Sequence, residues 1–144
     1  ETDGTVRIFG GIGQDSFVGG SGADLLYGNI GGDALNGGLG ADTYAYRNVN
    51  ESTAQRKDGV LFDGSDTFDL SFIDAVAGTP ANEAFTFIGN AAFGNVAGQL
   101  RAVQSSSTQW LVEADVNGDG TADMVIDVFT PNGSILVTAD AFLL

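Results

Sequence analysis

The chain contains no cysteine and no histidine. Without cysteine there is no disulfide framework and no thiolate metal centre. Without histidine the usual zinc ligand and the usual general base are both missing. Positive charge is scarce as well: 5 Lys and Arg stand against 19 Asp and Glu, a formal charge of -14. So few cations exclude nucleic acid, whose phosphates need Lys and Arg, and they exclude docking on an anionic membrane. No apolar run approaches the length of a membrane span, so stable membrane insertion is not expected. No stretch shows a long, strong helical period. No signal peptide opens the chain, and Glu1 falls inside the sequence pattern, as in a fragment or a processed product.

What is abundant is aspartate and glycine. Fifteen of the 19 acids are Asp, and 22 of the 144 residues are Gly. Asp is short, tolerates turns and ligates hard cations. Acidity alone also suits mere solubility, so the positions of the Asp residues decide the matter.

Residues 10–45 divide into four nines: GGIGQDSFV, GGSGADLLY, GNIGGDALN and GGLGADTYA. Gly10, Gly19, Gly28 and Gly37 hold the first position, and Gly13, Gly22, Gly31 and Gly40 the fourth. Asp15, Asp24, Asp33 and Asp42 hold the sixth, and Phe17, Leu26, Leu35 and Tyr44 the eighth. Residues 1–9 look like a decayed copy, with Val6 where Asp belongs. The pattern predicts a six-residue turn and a short strand in each nine, with the eighth side chain pointing inward. Two nines make one coil of a parallel β-roll, so alternate turns stack on the same side. A cation fits between stacked turns, pairing Asp15 with Asp33 and Asp24 with Asp42. Carbonyls of Gly11, Gly13, Gly20, Gly22, Asn29, Gly31, Gly38 and Gly40 would complete roughly six oxygens, which suits Ca2+ better than Mg2+. A flexible linker would need neither the Asp nor the apolar column. A phosphate-cradling loop would need a Lys, and Asp would repel its ligand.

Residues 46–144 lose the nine-residue period. Ala84–Ile88, Trp110–Ala114, Met124–Phe129 and Ser134–Thr138 read as strands, and Ser71–Val76 and Asn95–Gln104 as short turns of helix. The expected fold is all-β: a parallel β-roll of nonapeptide repeats over 1–46, then an antiparallel β-sheet or sandwich over 47–144 that caps it. Asp115, Asn117, Asp119 and Asp123 match the first nine positions of an EF-hand loop, but Ile126 stands where the bidentate Glu belongs and the flanks read as strands. Either a plain hairpin turn or a calcium loop within that hairpin fits these residues. Asp63, Asp66 and Asp69 form a second acidic cluster, read from spacing as a turn entering a strand. The chain ends on an acid followed by apolar residues, which a last strand tucked into the sheet would explain.

The nonapeptide resembles the calcium-binding repeat of RTX proteins. With the tracts GADTYAYRNVNEST, DGSDTFDLS, FIGNAAFGNVAGQLR and DVNGDGTADMVIDV, nearly the whole chain resembles the C-terminal domain of serralysin-type secreted metalloproteases. Around Val60–Ser65 the match needs a one-residue slip, which bears on Asp66 and Asp69 as ligands. The resemblance implies several calcium ions as cofactor and a secreted, extracellular or cell-surface location. It implies export by type I secretion machinery that reads Asp140, Ala141, Phe142, Leu143 and Leu144 as an uncleaved signal. An upstream domain of a larger exoenzyme, such as a zinc metalloprotease, would be the remaining partner. No catalytic residue is assigned here, since the HExxH motif and every His are absent. Competing expectations are a polysaccharide-binding accessory module of an extracellular enzyme and the terminus of a surface-layer protein or adhesin.

Overall fold

The computed structural model describes residues 4–144. The repeats wind into two parallel ladders of short strands: β1 (Arg7–Phe9), β2 (Ser16–Ser21), β3 (Leu25–Tyr27), β4 (Ala34–Leu39) and β5 (Thr43–Ala45). Alternate strands pair in parallel, with Phe17 opposite Leu35 and Leu26 opposite Tyr44. That offset of two nines is the coil the sequence predicts. At Asn29 the turn runs at φ 64, a left-handed conformation that Asn tolerates where the other nines place Gly.

The coil continues past the period. β6 (Asp58–Leu61) extends the β2–β4 sheet, and β7 (Thr67–Asp69) extends the β1–β3–β5 sheet. The next strands are β8 (Thr86–Phe87), β9 (Gln99–Ser106), β10 (Gln109–Asp115), β11 (Met124–Phe129) and β12 (Phe142–Leu143). β9, β10 and β11 form an antiparallel meander, joined to the roll where β11 pairs in parallel with β6. β12 closes the other sheet beside β7. The result is a five-stranded sheet, β1-β3-β5-β7-β12, facing a seven-stranded one, β2-β4-β6-β11-β10-β9-β8. Loss of the nine-residue period near position 46 interrupts neither sheet.

The eighth-position column becomes the core. Leu26, Tyr44 and Phe68 descend one sheet, and Leu35, Val60 and Val128 descend the other, all buried. Phe68 sits at its centre, with ring centroids of Tyr44, Phe62 and Phe142 5.7, 5.6 and 5.7 Å away. Each such ring fully buried stabilises the fold by about 1.5–3 kcal/mol.

Three local expectations are corrected. The segment 95–104 is not helical: Gly98 at φ 85 turns the chain, and β9 then buries Leu100 and Ala102 alternately, a strand period. Residues 71–76 form bends with a single turn bond, Ile73 N–H to the Leu70 carbonyl at 3.0 Å. Ser134–Thr138 is not a strand. It crosses from one sheet to the other, burying Val137 without a partner strand.

Candidate metal centre

Each repeat places its Asp at the exit of a glycine turn, one residue before a strand. Strand pairing at the two-nine offset then brings that Asp beside its counterpart one coil away. The Asp15 N–H donates to Asp33 Oδ1 at 2.9 Å, and the Asp24 N–H to Asp42 Oδ1 at 2.8 Å. The same bond recurs from Asp33 to Asp58 Oδ1 at 2.8 Å and from Asp42 to Asp66 Oδ1 at 3.0 Å. At the other end, the Val6 N–H reaches Asp24 Oδ1 at 2.8 Å. One flank of the roll therefore carries Asp15, Asp33 and Asp58, and the other Asp24, Asp42 and Asp66.

One carboxylate oxygen of each is thus accounted for, and the second is the informative one. Oδ2 of Asp24, Asp33, Asp42 and Asp58 is buried with no hydrogen-bond partner. A buried charged acceptor left unpaired is costly. Burial pushes the Asp33 and Asp42 carboxyls up, and the neighbouring charges of Asp15 and Asp24 add to the shift against the bond each carboxylate accepts. Burial likewise raises Asp58 to about 7 and Asp66 to about 6.

Around these oxygens the glycines leave room that a side chain would fill. A Cβ on Gly19 would strike Asp24 Oδ2 and the Gly37 carbonyl. A Cβ on Gly31, Gly38 or Gly40 would strike the carbonyl oxygen of Gly13, Gly20 or Gly22, each one coil earlier. Backbone oxygens of one coil therefore face the next at the level of the unpaired carboxylates. Among the described residues no three acidic side chains converge. A cation here would draw on carbonyl oxygens as well as on carboxylates, a hard-oxygen donor set of the kind calcium takes. Gly11 and Asn29 differ from the rest. Gly11 N–H caps Asp15 Oδ2 at 3.0 Å, and Asn29 Nδ2 donates to the Gly10 carbonyl at 2.8 Å.

Sequence reasoning missed Asp58 and Glu51. Asp58 stands in register with Asp33, and the triplet Asp58-Gly59-Val60 repeats the acid-x-apolar step of Asp33-Ala34-Leu35. That triplet was the available signal once the glycines were gone. Glu51 is buried, accepts the Arg47 N–H at 3.0 Å, and raises the Asp58 carboxyl further by its charge. The Tyr46 hydroxyl is buried beside Asp58. Nothing in the spacing marks Glu51 or Tyr46.

The second acidic cluster divides. Asp66 joins the carboxylate column, but its Oδ2 accepts the Asp63 N–H at 3.1 Å, and the Ser65 hydroxyl donates to the Gly40 carbonyl at 2.7 Å. Asp69 turns away, accepting the Ser71 N–H and hydroxyl at 3.1 and 2.6 Å. The 115–123 segment is a hairpin connection. Asp115 is fully buried and accepts the N–H groups of Gly118 and Gly120 at 2.6 and 2.8 Å. Asp123 accepts the Val116 N–H and the Asn117 amide, both at 2.9 Å, and Asp119 accepts the Thr121 N–H at 2.7 Å. Asn117 Oδ1 accepts the Asp119 N–H at 2.8 Å. At the terminus, Asp140 and Ala141 lie in a 3-10 turn, Phe142 and Leu143 form β12, and Leu144 rests on the core.

The family model described as peptidase M10 serralysin C terminal matches residues 2–142. No curated protein sequence matches the chain. Among solved structures, the AlgE6R2 subunit of the Azotobacter vinelandii mannuronan C5-epimerase superposes with a TM-score of 0.63 at 25% identity, over 99% of this chain and 88% of that one. The AlgE6R3 subunit of the same enzyme aligns at 19% identity over 96% of this chain and 77% of that one, with a TM-score of 0.32.

Proposed function

The chain belongs to the peptidase M10 serralysin C-terminal family, and from that premise we propose that it is a calcium-binding module that folds on meeting calcium outside the cell. The observation that carries this is the set of buried, unpartnered carboxylate oxygens beside the glycine turns, on Asp24, Asp33 and Asp42, continued at Asp58, whose carboxyl lies beside the Tyr46 hydroxyl. Calcium, when bound, supplies the positive charge those oxygens lack. Asp24, Asp33 and Asp42 would hold it with carbonyls of the turn glycines, Gly13, Gly20 and Gly22 foremost. Asp58, with Glu51 close by, would hold another at the end of its flank. The satisfied carboxylates of Asp69 and of the 115–123 hairpin are left out of the ligand set.

Clustered unpaired charge opposes folding when the cation is absent, and glycine-rich turns lose much backbone entropy on ordering. Binding to the folded state alone reverses the balance. A site with free calcium 100-fold above its Kd adds about 2.7 kcal/mol. In a low-calcium cytoplasm the chain stays open, and outside it closes.

That coupling suits export by a type I machine, and we assign Asp140–Leu144 as the signal it reads. What supports the assignment is the acidic-apolar ending together with the family. In the folded chain Phe142 packs on Phe68 and Phe87, so recognition would have to precede docking of β12. The module would follow an upstream domain in a larger secreted protein.

Circular dichroism and urea unfolding with calcium, with magnesium and with a chelator test the central claim. Calcium should be needed for the β signature and should raise the unfolding midpoint far more than magnesium. Identical spectra and midpoints in all three would overturn it. Secretion of a parent protein shortened by residues 140–144 tests the signal separately, and undiminished export would refute that part alone.

A further inference from the structure

An Asn followed by Gly can modify itself, because the Gly backbone nitrogen is able to attack the Asn side-chain carbonyl. Gly has no Cβ to crowd that approach, and its backbone turns freely. The chain has three such steps: Asn36-Gly37, Asn117-Gly118 and Asn132-Gly133. The fold treats them differently.

Asn36 lies in β4, paired with Val18 on one side and Leu61 on the other. The Gly37 N–H donates to the Tyr44 hydroxyl at 2.9 Å. Ring closure requires that nitrogen to swing onto the Asn36 side chain, and the paired strand forbids the rotation. Asn117 sits in the hairpin connection, where both reacting groups are held. The Gly118 N–H donates to Asp115 Oδ1 at 2.6 Å, and the Asn117 amide donates to Asp123 Oδ1 at 2.9 Å. Gly118 is also hemmed in, since a Cβ there would lie 2.8 Å from the Ala97 nitrogen.

Asn132 shares one feature with Asn117 and lacks the restraints. In both, the side-chain oxygen accepts the N–H two residues on, from Asp119 at 2.8 Å and from Ser134 at 2.9 Å. That bond polarises the side-chain carbonyl and stabilises the oxygen that becomes negative when the nitrogen adds. At Asn132, however, neither the Gly133 N–H nor the side-chain amide has an acceptor among the described residues. Residues 131–134 are all exposed and lie outside every strand. Attacking nitrogen, activated carbonyl and free leaving group therefore coincide at this step.

We propose that Asn132-Gly133 is a self-modification site that deamidates in the folded protein while Asn36 and Asn117 are protected. The Gly133 nitrogen bonds to Asn132 Cγ, the Cγ–Nδ2 bond breaks, and ammonia leaves with the proton from the Gly133 N–H. Water then opens the cyclic imide at either carbonyl, giving Asp or isoaspartate. The product carries one more negative charge, and isoaspartate also inserts a methylene into the main chain. The Asn132 carbonyl accepts the Thr130 hydroxyl at 3.1 Å and the Ile135 N–H at 3.5 Å. The inserted methylene thus falls at the start of the crossing that buries Val137 and leads into β12.

The experiment is prolonged incubation of the folded chain in calcium at mildly alkaline pH, with a parallel sample in urea. Peptide mapping by mass spectrometry follows all three sites, and an isoaspartyl methyltransferase detects isoaspartate. In the folded sample Asn132 should convert at least about tenfold faster than Asn36 or Asn117, whereas in urea all three should convert at comparable rates. Ser134→Pro removes the N–H at Oδ1 and should slow the reaction severalfold. Gly133→Ala should slow it more, although its Cβ would lie 3.0 Å from the Ser107 carbonyl; the wild-type comparison does not depend on either variant folding. Three results would overturn the proposal: Asn132 intact in the folded chain, equal conversion of all three sites there, or the same lead for Asn132 in urea.

Discussion

Replacing Asp58 by Asn should change the sign of its effect when calcium is added. Asp58 is completely buried, and its Oδ1 accepts the Asp33 N–H at 2.8 Å while Oδ2 has no partner. Burial raises its pKa from 3.8 to about 7. At 1.36 kcal/mol per pKa unit, holding the group ionised at pH 8 costs the cation-free fold about 4 kcal/mol. Asn keeps the Oδ1 acceptor and removes the charge, but buries an amide at a cost of about 1–2 kcal/mol. Asp58→Asn should therefore stabilise the chelator-treated protein by about 2 kcal/mol. With calcium at 100 times the Kd, the wild type gains about 2.7 kcal/mol at this site and the variant does not. The two stability curves then cross as calcium rises. Urea unfolding followed through Trp110, which is 8% exposed in the core, reads both arms. A variant that is destabilised equally with chelator and with calcium would show that Oδ2 neither lacks a partner nor holds a cation, and the reasoning would fall.

The pH dependence follows from the same groups. Asp58 and Asp66 have folded pKa values of about 7 and about 6, above the ordinary 3.8. The folded state thus binds more protons, and cation-free stability should rise as pH falls from 8 toward 4, with calcium affinity falling over the same range. Thermal melts across that range in chelator check this, and a flat profile would contradict it. Asp115→Ala removes a buried acceptor of two backbone bonds at 2.6 and 2.8 Å. It should cost about 2–4 kcal/mol, by the same amount with and without calcium, in contrast to Asp58→Asn. Gly19→Ala places a Cβ against Asp24 Oδ2 and the Gly37 carbonyl, so calorimetry should show one fewer calcium bound. Phe142→Ala uncovers Phe68 and Phe87 and should cost about 3 kcal/mol, visible in the urea midpoint.

The roll was legible because its rule is local and repeated. Gly at the first and fourth positions, Asp at the sixth and an apolar eighth specify a turn and an inward side chain, and the two-nine offset then follows in the register of Phe17 with Leu35. Past residue 46 the same carboxylate column continues through Asp58 and Asp66, but the glycine turns that announced it are replaced by loops of other lengths. The register there is held by strand pairing, with offsets that no nine-residue period encodes. A hairpin turn and a cation loop are both compatible with the residues 115–123. Only the folded backbone, with Gly118 and Gly120 N–H groups directed at Asp115, decides where those oxygens go.

By itself the sequence determined the parallel coil, its inward column and its acidity, since each depends on residue type at fixed spacing. Tertiary structure alone decided that β11 and β12 complete the two sheets of the roll. It alone decided that Glu51 and Tyr46 lie beside Asp58. Those meetings join residues far apart in the chain through sheet register, and register is a property of paired strands rather than of any segment read alone.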